Sequence, residues 1–158
     1  MRLYVDLDTL AILDYRNSAV TSLTAKRSDR FQVQVRFQSN GVVQELPHGA
    51  IGRISIKKVS DFSGYPVAWS PQWRKIGYGV SAYYVFNLNL HTQQIVDQFL
   101  TLQGELAAVT LAFEIQWEHR GMRRSSRSVS FVVENDYVRL EDAEEPPEPI
   151  ADPPPPTS

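Results

Sequence analysis

The chain has 158 residues, 42% hydrophobic and 22% charged, with a net charge of −2 and no cysteine. That length fits one domain with a real core. The near-balanced charge gives no hold to a general nucleic-acid or membrane-surface binder, and the missing thiols exclude disulfides, thiol catalysis and Cys-ligated zinc.

The start, MRLYVDLDTLAILDY, is broken by Asp6, Asp8 and Asp14, so no signal peptide is expected. No stretch approaches the roughly 20 apolar residues of a membrane span, and the chain reads as soluble. LYVDL, residues 3 to 7, predicts a first strand. In FQVQVRF, residues 31 to 37, Phe31, Val33, Val35 and Phe37 alternate with Gln32, Gln34 and Arg36. Successive strand side chains point to opposite faces, so this strand has one dry face. Asn40-Gly41 is a hairpin turn signal, with a short strand over residues 42 to 46 behind it. IGRISIKK, residues 51 to 58, is strand-like, and Gly52 marks a bulge or a close backbone approach.

A long connection without regular structure follows from Asp61 to Tyr84, crowded with Phe62, Tyr65, Trp69, Trp73 and Tyr78. YYVFNLNL, residues 83 to 90, returns to alternation. In HTQQIVDQFLTLQG, Thr92 is placed as an N-cap, Ile95, Phe99 and Leu102 share a face, and Gly104 is placed as a C-cap; the segment predicts one helix. VTLAFEIQWE, residues 109 to 118, sets Val109, Leu111, Phe113, Ile115 and Trp117 against Thr110, Ala112, Glu114, Gln116 and Glu118. Together with SVSFVVE, residues 128 to 134, it predicts the longest hairpin of the chain. Several one-faced strands and one short helix need a second dry surface, and two packed sheets supply it. The expected fold is an all-β antiparallel sandwich, jelly-roll-like, over residues 1 to 140. An extended, acidic, Pro-rich tail with polyproline II character follows over 141 to 158.

Few residues carry chemistry. His48, His91 and His119 are isolated in sequence, without metal-ligand spacing. Asp6 and Asp8 lie on one side of a strand, where they can face a divalent cation or simply keep an edge polar. Glu114, Gln116 and Glu118 line a solvent face. A carboxylate pair serves glycoside hydrolysis only in a cleft that separates the two pKa values, and alternation accounts for these residues without one. No nucleophile elbow, phosphate loop or dinucleotide fingerprint is present, so no catalytic residue, cofactor or metal is expected. Tyr65, Trp69, Trp73, Arg74 and Tyr78 form the candidate partner- or glycan-binding set, because aromatic faces on a loop stack on sugars or anchor protein interfaces. The alternative is that Trp69 and Trp73 plug the end of the sandwich. Arg120, Arg123, Arg124 and Arg127 form a basic hairpin tip suited to anionic contacts, with the acidic run at 141 to 145 close in sequence.

The opening RLYVDLDTL, the alternating body and the closing SFVVEND-Y-V together resemble small β-sandwich proteins encoded in phage and prophage tail modules. The architecture is similar to the N-terminal module of phage baseplate upper proteins. The resemblance runs from Arg2 to Val138 and implies a non-enzymatic virion structural protein, a tail or baseplate component or adaptor. Such a protein is made in the bacterial host cytoplasm and works by contact with other tail proteins. A homo-oligomer within an assembly is expected, and the charge balance leaves neither nucleic acid nor membrane as an expected partner. Arg123, Arg124 and Arg127 depart from the pattern of that group. A carbohydrate-binding sandwich that takes a host-surface glycan on its loop aromatics is the other reading.

Overall fold

The computed structural model describes residues 1–60 and 66–135. Alternation of large apolar side chains sets most of its strands. The first five are β1 (Arg2–Asp6), β2 (Ile12–Leu13), β3 (Ser22–Lys26), β4 (Arg30–Ser39) and β5 (Val42–Gln44). They are followed by β6 (Ile51–Lys58), β7 (Ala68–Trp69), β8 (Arg74–Ile76) and β9 (Tyr83–Asn89). After the helix α1 (Gln93–Phe99) come β10 (Leu100–Thr101), β11 (Gly104–Glu105), β12 (Ala108–His119), β13 (Met122–Ser125) and β14 (Val129–Glu134).

One sheet runs in the order β2-β1-β4-β9-β8, with β5 on β4; the other runs β3-β14-β12-β6-β7, with β13 on β12. Val33, Val35, Phe37, Tyr84, Phe86 and Leu88 of the first sheet share one core with Ile54, Ile56, Phe113, Ile115, Trp117 and Phe131 of the second. The all-β sandwich expected from the alternation is therefore what the chain forms. Its connectivity has its own character. β4-β9-β8 opposite β14-β12-β6-β7 reproduces the layer order of a variable-type immunoglobulin sandwich rather than a jelly roll. Two pairs, β1 with β4 and β3 with β14, are parallel within the otherwise antiparallel sheets.

The helix is shorter than its apolar spacing predicts. The Thr92 hydroxyl caps it by accepting from the Ile95 N–H, and Ile95 and Phe99 are fully buried. It ends at Phe99, because Leu100 and Thr101 turn extended and pair with Glu105 and Gly104 in a small hairpin. Gly104 takes its positive φ of 136° there and not as a helix cap. The 61–84 connection is also more ordered than expected where it is described. It contains β7, β8 and a single 3-10 turn at Gly79–Ser81.

Gly52 is a close approach. A Cβ there would lie 2.4 Å from Cζ3 of Trp73 and 2.7 Å from the Gln116 carbonyl oxygen. Trp73 donates its backbone N–H to the Gly52 carbonyl and sends its indole inward against Phe37, Tyr84 and Phe86, with ring centroids 5.7, 4.4 and 5.6 Å away. The chain between β7 and β8 thus crosses from one sheet to the other at the surface, with Pro71 and Gln72 exposed and the Trp73 side chain set into the core.

Candidate functional site

The crossing divides the aromatic set predicted from sequence. Trp69, on β7 at the edge of the second sheet, is 52% exposed. Trp73, four residues on, is only 7% exposed, so plugging describes Trp73 and an open ring describes Trp69. Arg74 and Tyr78 belong to the other sheet: Arg74 begins β8, and Tyr78 follows it, 80% exposed, with the Lys75 ammonium 4.9 Å from its ring centroid. Lys75 in turn pairs with Glu45, which also accepts the Gly79 N–H. Tyr65 lies outside the described residues.

The arginines of the β12–β13 hairpin are likewise dispersed. Arg124 donates to the Leu7 carbonyl at 3.1 Å and lies 5.7 Å from the Trp117 ring centroid, which ties the hairpin to the N-terminal strand. Arg120 occupies the turn with φ of 50°. Arg127 gives its backbone N–H to Leu10. Arg123 alone turns to the outer face of the second sheet, where it pairs with Glu118 at 3.6 Å.

That outer face holds a groove of about 520 Å³, within the usual range of ligand pockets, ~300–1,000 Å³. Period two along β6 turns Ile51, Arg53, Ser55 and Lys57 outward while Ile54 and Ile56 enter the core. In register, Ser55 stands between Trp69 on one side and Glu114 on the other, while Gln116 stands beside Arg53. Pro66, Trp69 and Pro71 form one wall; Gln116, Glu118 and Arg123 form the opposite one.

The charges of this face are unequally engaged. Lys57 lies 3.9 Å from Glu114, which also accepts from the Ser128 hydroxyl at 2.6 Å and from Gln116 at 3.3 Å. Arg53 is exposed and has no ion-pair partner among the described residues. Ser55, only 1% exposed, sits at the floor of the groove, and its hydroxyl has no hydrogen-bond partner among the described residues. A buried orphan hydroxyl costs about 1–3 kcal/mol, so it marks a place where an arriving acceptor has something to gain.

The other sequence candidates serve local structure. Asp6 accepts the Asp8 and Thr9 N–H groups, and Asp8 accepts the Ser39 hydroxyl and the Asn40 N–H, so both carboxylates pin turns. His119 contacts the His48 carbonyl at 3.2 Å. The sequence reading passed over Arg53, Ser55 and Lys57. The same period-two rule, applied to IGRISIKK, sets all three on one outward row.

No family model matches the chain, and no curated protein matches it in sequence. Among solved structures the chain is similar to the N-terminal domain of phage TP901-1 ORF48, with a TM-score of 0.41 and 11% identity. That match covers 84% of this chain and 96% of the other. It is also similar to the NK cell receptor Nkp44, a triggering partner in natural cytotoxicity, with a TM-score of 0.38 and 9% identity over 75% of this chain and 100% of that one. A phage domain and an immune receptor thus stand at nearly equal distance from this chain.

Proposed function

We propose that the chain is a non-enzymatic structural protein of a phage virion, a tail or baseplate component or adaptor that works through protein–protein contacts. The observation that carries the contact role is the outer face of β6, β7 and β12, where an exposed Trp69 converges on one groove with Arg53 and the Ser55 hydroxyl, neither of which has a partner among the described residues. Tryptophan and arginine are the residues most enriched at interface hot spots, and a buried polar atom awaiting a partner adds direction to such a surface. The phage context rests on the sequence resemblance between Arg2 and Val138.

Purified particles from a producing strain test the reading. The chain should sediment with tails or baseplates and be found there by mass spectrometry, and Trp69→Ala should lower its occupancy. Absence of the chain from washed particles overturns it.

One observation favours the carbohydrate reading: the open Trp69 ring stands in one groove with Gln116 and Arg53, which is the equipment for stacking and hydrogen-bonding a sugar. Binding on a glycan array that Trp69→Ala abolishes would favour it over the virion role. Trp73→Ala is not a useful probe, since that indole is part of the core.

A further inference from the structure

We propose that the groove of β6, β7 and β12 is the seat of the acidic, Pro-rich segment 141–158 of a second copy of this chain, so that copies join head to tail. This rests on the contact role proposed above and names its partner.

Three observations point to that occupant. The segment holds seven prolines, six carboxylates and no lysine or arginine in EDAEEPPEPIADPPPPTS. Proline-rich chain presents stiff polyproline II rungs, and such segments dock in aromatic-lined grooves; here Trp69, flanked by Pro66 and Pro71, lines one wall. Charge is complementary: the lining holds three cations, Arg53, Lys57 and Arg123, against one carboxylate, Glu118, and Arg53 has no ion-pair partner among the described residues. At the floor, the Ser55 hydroxyl has no acceptor among the described residues, and a backbone carbonyl of the occupant supplies one.

Direction argues for a second copy over the chain's own tail. β14 runs antiparallel to β12 and leaves the sheet beside Ala108, whereas the groove lies beside Gln116 and Glu118. The eight residues from Ala108 to Gln116 span roughly 27 Å along the strand. β14 therefore ends pointing away from the groove, and a segment of the same copy seated there must reverse that direction. A neighbour stacked beyond that end receives it without reversal. Such a contact joins two different surfaces, so it propagates into rings or filaments instead of closing a pair.

The test uses the full chain. Trp73 and Trp117 are buried, so acrylamide quenching of tryptophan fluorescence reports chiefly on Trp69. As concentration rises, quenching should fall while light scattering shows mass above 18.0 kDa. Salt should reverse both. Full chains carrying Pro146→Ser, Pro147→Ser and Pro149→Ser together, or Arg53→Gln with Ser55→Ala, should stay monomeric with Trp69 open. Mixed with each other, the tail variant and the groove variant should pair one to one and stop, because one keeps the groove and the other keeps the tail.

Shielding at all concentrations with monomer mass would overturn the inference in favour of the chain's own tail. Association untouched by the tail substitutions would overturn it while leaving the virion reading standing. Shielding of Trp69 by an acidic oligosaccharide, with tail substitutions inert, would reassign the groove to a glycan. A chain that neither associates nor enters particles takes both readings down.

Discussion

At the scale of residues, the demands fall on a few side chains around the place where the chain passes between sheets. Gly52 has no room for a side chain: the Trp73 ring and the Gln116 carbonyl already occupy the position of a Cβ. Gly52→Ala should therefore push Trp73 out of its seat against Phe37 and Tyr84. Overpacking of this kind costs about 1–3 kcal/mol, read as a lower midpoint in urea unfolding with little change of slope. Tyr84 is a second such point. Its hydroxyl accepts the buried Leu46 N–H at 2.9 Å, and burial pushes its pKa above the usual value while that hydrogen bond pulls the other way. A pKa higher in the folded than in the unfolded chain means stability that is complete below about pH 10, the unfolded tyrosine value, and that is lost as pH rises through the folded value. Tyr84→Phe should orphan the Leu46 N–H and cost about 1–3 kcal/mol at neutral pH. The melting temperature of the variant should then decline less steeply than that of the parent above about pH 10.

At the scale of elements, β12 organises the second sheet. It pairs with β6 along one edge and, along the other, with β14 up to Phe113↔Val129 and then with β13 from Gln116↔Ser125. At the change of partner the buried Ser126 hydroxyl accepts the Ile115 N–H at 2.9 Å, as the Ser70 hydroxyl accepts the Ile54 N–H at 2.8 Å beside β7. Ser126→Ala should leave the Ile115 donor buried and unpaired, at a cost of about 1–3 kcal/mol. Ser128→Ala, on the exposed side of the same bend, should cost less, and thermal melts of the two variants give the comparison.

The long two-faced strands were legible in the sequence, because Phe31 to Phe37 and Val109 to Glu118 repeat core and solvent at every second position. Strands β2, β7 and β8 were not, because two or three residues are too few to show a period, and β3 was not, because it is placed by β14, far along the chain. Gly104 misled because a glycine that ends a helix and one that turns a two-residue hairpin carry the same local signal. The aromatic run from Trp69 to Tyr78 reads as one cluster in sequence. Only the crossing at Trp73, which depends on the small size of Gly52 one sheet away, shows that it serves three different environments. The groove was not legible, because a lining shared among β6, β7 and β12 depends on strand pairings that no single stretch of sequence carries.

For the whole molecule, the question is what the residues beyond the last strand contribute. All described core side chains lie between Leu3 and Val133, and the last sheet pairing ends at Glu134. The expected tail of 141–158 begins after that and lies outside the described residues. If its work is done on a neighbour, its removal subtracts nothing from the interior of a dilute monomer. Truncation after Leu140 should therefore leave the melting temperature of the monomer nearly unchanged while it lowers incorporation into particles. The two readouts part company only for a segment that binds elsewhere. A loss of 1 kcal/mol would already shift a domain of this size by roughly 2–8 °C, well within the reach of a thermal melt. A truncated chain that melts several degrees earlier at micromolar concentration would place the tail within its own fold, and with that the head-to-tail arrangement would fail.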